Sequence, residues 1–277
     1  MWRLTFIFLL ISLFSQAQKK IADLPEELKE ISGIQYINDT LIIAHNDGGN
    51  KAELFLMSPS GKIYRNVSVF NFRNNDWEDI AFDGKHIYIA DIGNNLNTRK
   101  DLRILKIALS DILVQDTVFA AEMKISYTDQ KDFPPNEKNL NFDSECLVFA
   151  EGNLWIFSKN RTDPSDGKCF VYSFKFENGE TKKLSKNYTI QLGKRGWHFD
   201  SVTGGDYANG KFYLTTYTHL LTYELKNNVF SEKASYSYPE FNQKEALTVV
   251  KPNEILVANE DQKLLGKQKL YRITLKK

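Results

Sequence analysis

Glutamates open three short apolar runs of this sequence at what reads as one repeated position: Trp77-Glu78-Asp79-Ile80, Ser144-Glu145-Cys146-Leu147 and Lys244-Glu245-Ala246-Leu247. Two further runs carry a hydroxyl there, Ser32 in Ile31-Ser32-Gly33-Ile34 and Thr203 in Val202-Thr203-Gly204-Gly205. Brought together, five side chains ending in hard oxygen donors would hold a hard divalent cation. Three carboxylates that close cannot all stay ionised without one. Oxygen donors alone suit Ca²⁺ far better than Zn²⁺, and His45, His86, His198 and His219 show no zinc-ligand spacing.

A second set of residues lies in polar loops. Asp47 and Asp91 follow the next apolar run of their repeats, at ends that read as equivalent, and could orient a metal-bound water or accept its proton; Asp and Asn beside Gly are also what tight turns need. Arg73, Arg99, Lys159, Arg161, Lys194, Arg195 and His198 are loop cations able to clamp phosphate oxygens beside a metal. Arg99, Lys159, Arg161, Arg195 and His198 are the expected substrate contacts, Arg99 and Arg161 foremost because each ends a polar loop near the channel mouth. Trp77 and Trp197 read as wedges between packed sheets. No Ser-His-Asp arrangement, phosphate-cradling glycine loop or dinucleotide motif is visible.

Such residues converge only if the elements carrying them repeat around an axis. Each run is followed by a turn, a second strand, a polar loop and a third strand, the pattern of a β-propeller blade. Three of the first turns, Asp83-Gly84, Glu151-Gly152 and Asn209-Gly210, carry hairpin chemistry. The spacings between fixed positions are 46, 67, 58 and 42 residues, so the blades have uneven loops. The expected fold is all-β, a five-bladed propeller. Six blades would require one hidden between Asp111 and Asp143, where a single strand over Val118 to Tyr127 is expected. The last blade lacks an outer strand, and Lys19 to Leu24 is free to supply it and remove the exposed edge. If first strands run down the channel, their starts and the ends of second strands share one face, where the polar loops gather.

Residues 1–17 read as a secretory leader: a basic start at Arg3, an apolar run from Leu4 to Phe14 and a small-residue site at Ser15-Gln16-Ala17. The run is too short to be a permanent membrane span. Residues 18–277 then form one exported domain, secreted or periplasmic, with no membrane span and a monomeric state expected. The formal charge of +1 falls to zero without Arg3, so there is no basic field for nucleic acid. Cys146 and Cys169 fall on the first and third strands of one blade, about 9.6 Å apart as two strand spacings. That lies beyond disulfide reach of about 7 Å, so both are expected as packed thiols.

The order Ser32, Glu78, Glu145, Thr203, Glu245 resembles the central ligand order Ser, Glu, Glu, Ser, Glu of the calcium-activated nucleotidase (soluble apyrase) family, with Thr in place of one Ser. The resemblance implies a five-bladed fold and a Ca²⁺ role for those five positions. It does not extend to the family's substrate contacts: where the family has paired acids followed by an arginine, this chain has His45-Asn46-Asp47-Gly48-Gly49. The sequence is also similar to uncharacterised secreted bacterial propellers sharing the His-Asn-Asp-Gly-Gly, Asp-Trp-Glu-Asp-Ile-Ala and Asp-Ile-Gly-Asn-Asn motifs. Two functional readings follow. One is Ca²⁺-dependent hydrolysis of a phosphoanhydride or phosphoester in a phosphorylated small molecule. The other is a non-catalytic module whose polar face binds a glycan, a peptide or an envelope protein.

Overall fold

A computed structural model describes residues 17–275, and the expected leader falls outside them except for Ala17. The chain forms a five-bladed β-propeller. Blade I comprises Ile31–Asn38, Leu41–Asn46, Glu53–Met57 and Ile63–Val69. Blade II comprises Trp77–Phe82, His86–Asp91, Arg103–Ala108 and Ala121–Tyr127. Blade III comprises Asp143–Ala150, Asn153–Lys159, Lys168–Phe174 and Tyr188–Gln191. Blade IV comprises Gly204–Ala208, Lys211–Thr215, His219–Lys226 and Val229–Ser237. Blade V comprises Lys244–Lys251, Glu254–Asn259 and Lys269–Thr274, and Ala17–Asp23 is its outer strand. That strand pairs antiparallel with Lys269–Thr274, Ala17 opposite Thr274 and Asp23 opposite Lys269. The ring therefore closes as the sequence predicts. The stretch from Asp111 to Asp143 holds no sixth blade.

Second strands are buried along nearly their whole length, as in Leu41–Asn46 and Asn153–Lys159. Each blade is covered on both faces by its neighbours, so near-continuous apolar runs replace strict alternation. Five hydrophobic clusters result, one in each wedge between adjacent blades. Trp77 fills the wedge between blades I and II, as expected. The Asp83-Gly84 turn is set locally: the Asp83 carboxylate accepts from the Lys85 and His86 amides at 2.8 and 2.6 Å, and Gly84 takes a φ of +93°.

Two expected outer strands are divided between blades. The run starting at Val118 gives Thr117–Val118 to the outer edge of blade I, parallel to Ile63–Val69, before Ala121–Tyr127 joins blade II. The chain from Thr181 to Gln191 splits likewise: Thr181–Leu184 pairs parallel to the outer strand of blade II, and Tyr188–Gln191 serves blade III. These short hand-overs cover edges and tie neighbours together. Cys146 and Cys169 lie on first and third strands as free buried thiols. Among the described residues no helix is long and apolar enough to cross a membrane.

Candidate metal centre and adjoining cleft

The innermost strands of the five blades contact one another in a closed cycle. In four blades the fixed position is the extra residue of a β-bulge. Ile31 faces Asn46 and Gly33 faces His45, which leaves Ser32 without a partner of its own. Glu78, Glu145 and Glu245 are skipped in the same way. A bulge re-aims its side chain out of the strand's alternation, and here it turns the glutamates toward the axis. Thr203 stands just before its strand, its amide bonded to the Thr215 carbonyl at 2.9 Å.

Glu78, Glu145 and Glu245 join a chamber with four acids that sequence reasoning did not single out as ligands: Asp47, Asp76, Asp143 and Glu260. Carboxylate oxygens of Asp47, Glu245 and Glu260 lie within 4.8 Å of one another, as do those of Asp47, Asp76 and Glu78, and of Glu78, Asp143 and Glu145. A like-charged pair at that distance repels by roughly 3 kcal/mol at an effective dielectric of about 20. Burial, then the neighbouring carboxylates, push the Glu78 and Glu260 carboxyls well above their ordinary range. Asp47 is pushed up by removal from water and by Glu245. Asp76 rises to about 6 through burial, opposed by Arg99.

The signal for these residues lay in the blade alignment. Asp76 and Asp143 precede Glu78 and Glu145 by two residues. The register makes Asp47, Ile92, Lys159 and Glu260 equivalent, each one residue beyond the partner of the residue before the bulge, and Tyr217, two residues beyond the Gly204 partner Thr215, takes the same place in blade IV. Asp91 is therefore equivalent to Asn46, not Asp47, which corrects the expectation that the two aspartates match. Asp91 is buried and belongs to none of the acidic trios, taking Arg99 Nη2 at 2.8 Å, Arg103 Nε at 3.4 Å and the Asp76 amide at 3.2 Å. Its contacts suit holding the Arg99 loop.

Ser32 and Thr203 latch blades together: their hydroxyls donate to the carbonyls of Glu78 and Lys244 at 2.5 and 2.6 Å. Neither belongs to an acidic trio. Gly48 and Gly93 make room for the acids, since a Cβ on either would overlap the Asp76 carboxylate, and on Gly93 that of Glu78 as well. Beneath, Asp79 crosses the channel to the amides of Leu147 and Gly205 at 2.9 and 3.3 Å. The His45 imidazole fills the space left by Gly33, and burial holds it neutral with a pKa lowered to about 4.

The cations sit on one side only. Lys159 Nζ is fully buried, bonded to Glu145 and, at 2.9 Å, to Tyr217 Oη, which in turn donates to Glu245 at 2.7 Å. Arg161 Nε meets Asp143 at 2.7 Å and its Nη2 meets Glu145 at 3.3 Å. Burial keeps Glu145 high, at about 8, with Lys159 pulling it down and Asp143 pushing it up. Asp143 and Glu145 thus have cationic partners. Asp47, Asp76, Glu78, Glu245 and Glu260 have none nearer than Arg99, 4.0 Å from Asp76 and already committed to Asp91 and Asp101.

Beyond Arg161 lies a cleft of ≈ 580 Å³ lined by Arg161, Lys194, Arg195, Trp197 and His198 with Glu137 and Asp163. Trp197 sits under the Arg161 guanidinium at 4.2 Å and the Lys159 ammonium at 5.5 Å, and His198 stacks on it. It is therefore a platform between cleft and chamber, not the wedge expected. Arg195 is paired with Asp200 and reaches Thr218 Oγ1 at 3.2 Å. Arg99 lines neither space directly.

No protein-family model matches the sequence, and no curated protein matches it. Among solved structures the chain is similar to the glutaminyl cyclase of Myxococcus xanthus, with TM-score 0.55, 11% identity, and 95% of this chain and 98% of that one covered. It is also similar to the PQQ-bound aldose sugar dehydrogenase of Streptomyces coelicolor, with TM-score 0.52, 9% identity and coverage of 94% and 98%. The soluble aldose sugar dehydrogenase of Escherichia coli gives TM-score 0.52, 9% identity and coverage of 95% and 100%. At these identities the likeness concerns the propeller fold alone.

Proposed function

We propose that this chain is an exported, monomeric propeller that holds Ca²⁺ in the acidic chamber and hydrolyses a phosphoester or phosphoanhydride bound in the adjoining cleft. One observation carries the reading: the acidic chamber is separated only by Lys159, Arg161 and Trp197 from a cleft lined by Arg161, Lys194, Arg195 and His198. The donor set fits the ion, since every candidate ligand is a hard oxygen and Glu260 Oε1 is buried with no hydrogen-bond partner. Asp47, Asp76, Glu78, Glu245 and Glu260 would hold it. Bound there, it would supply Lewis-acid polarisation of a phosphoryl oxygen and a water of lowered pKa. Arg161, Lys194 and Arg195 donate to the remaining phosphate oxygens, and Trp197 offers a flat apolar floor for the rest of the ligand.

The alternative is a non-catalytic module binding an envelope ligand. It is favoured by the pairing of Arg99, Arg161 and Arg195 with carboxylates of the chain itself. One experiment separates the two: phosphate release from nucleotides, polyphosphate and sugar phosphates, with and without Ca²⁺. Calcium-dependent release that falls at least tenfold in Arg161→Met supports the hydrolase. No release from the folded, calcium-loaded protein across the panel sinks it and leaves the binding module.

A further inference from the structure

The five carboxylates that would hold Ca²⁺ are not arranged as a single shell. They fall into two trios, Asp47 with Glu245 and Glu260, and Asp47 with Asp76 and Glu78, each spanning no more than 4.8 Å. That span is about what two oxygens at Ca²⁺-ligand distance of roughly 2.4 Å can subtend around one ion. The trios share only Asp47. Their other members come from different blades: Glu245 and Glu260 from blade V, Asp76 and Glu78 from the start of blade II, with Asp47 on blade I between them.

We infer that this half of the chamber is a binuclear site, in which two divalent cations share the Asp47 carboxylate, one held also by Glu245 and Glu260 and the other by Asp76 and Glu78. The inference rests on the calcium reading above and sharpens it. One feature beyond the trios themselves points to a ligand. Glu260 is 6% exposed, its carboxyl lies beside that of Glu245 in the blade V trio, and no N–H or hydroxyl of the protein reaches its Oε1. A buried carboxylate oxygen without a partner is costly unless a cation fills the place. On the other side, Gly48 and Gly93 give up the space a Cβ would fill to the carboxylates of Asp76 and Glu78. The third trio, Glu78 with Asp143 and Glu145, needs no ion of its own because Lys159 and Arg161 already meet it.

The inference makes Asp47 a bridging ligand. Its sequence-based role as a base for the attacking water is then not required, and the proton of that water would leave by another route.

The test is the stoichiometry of Ca²⁺ on the chelator-stripped full chain. It would be measured by calorimetric titration and by elemental analysis after dialysis, with circular dichroism to confirm folding of each variant. Two ions per chain are expected in the wild type. Glu260→Gln and Asp76→Asn should each leave one, and Asp47→Asn should weaken both at least tenfold. One ion in the wild type overturns the binuclear site and leaves the calcium reading standing. No ion overturns both. Two ions that persist unchanged in Glu260→Gln and Asp76→Asn also overturn it, because the ions would then lie elsewhere.

Discussion

Lys159 has two anionic or polar partners and an indole face in a place with almost no water, touching Glu145, Tyr217 and Trp197. Removing one member of such a buried pair leaves the other charge uncompensated, a loss of about 3–5 kcal/mol. Lys159→Met should therefore destabilise the fold by that order in denaturant unfolding, and adding Glu145→Gln should recover more than half of the loss. The same pairing separates the glutamates the sequence put on an equal footing. Glu78→Gln should lower Ca²⁺ affinity at least tenfold more than Glu145→Gln, measured by calorimetry, because Glu145 already has Lys159 and Arg161. Equal losses would return Glu145 to the metal. Gly204 gives a sharper steric test. A Cβ there would strike the Glu245 backbone carbonyl, which cannot swing away as a side chain can. Gly204→Ala should cost upward of about 2 kcal/mol; a melting temperature unchanged within a degree would contradict the close approach.

The strands and their order were legible because blade stacking imposes long apolar runs between turns, and turn chemistry at Asp83-Gly84 or Asn209-Gly210 marks where they end. What the sequence could not display was register. A bulge has no residue signature at Ser32, Glu78, Glu145 or Glu245, yet it decides which residue of the second strand lies beside each. Without it Asp91 aligned with Asp47, and Glu260 and Tyr217 went unnoticed, although all five equivalents were in plain view one residue further on. Asp76 and Asp143 were missed for a related reason: they precede the strands proper and read as loop. The closing strand was legible by subtraction, because blade V lacked a fourth strand and the only unassigned β segment lay near the N-terminus. Removing residues 17–23 should expose the Lys269–Thr274 edge. Size-exclusion chromatography should then show association, with a clear drop in melting temperature; a monomer melting as before would mean the edge is protected some other way.

Taken as a whole, the molecule divides its axis by charge. A plugged channel carries carboxylates on the blades I, II and V side and cations on the blade III side, with the cleft beyond. On the calcium reading proposed above, stripping the chamber of Ca²⁺ should loosen the ring at its hub. Chelation should lower the melting temperature, and Ca²⁺ should restore it more fully than Mg²⁺, which demands a compact octahedron that a wide carboxylate chamber does not offer. No shift on chelation would contradict the site.

The pairing of Ala17 with Thr274 has a mechanical consequence. The two ends of the closing ladder leave the ring side by side, and its hydrogen bonds run across the strands. A pull on both ends therefore loads those bonds one after another, as a zipper opens, and never all in parallel. A ring closed against edge pairing is thus built to yield at low tension along this single seam, and the blade that opens first is the one carrying Glu245 and Glu260.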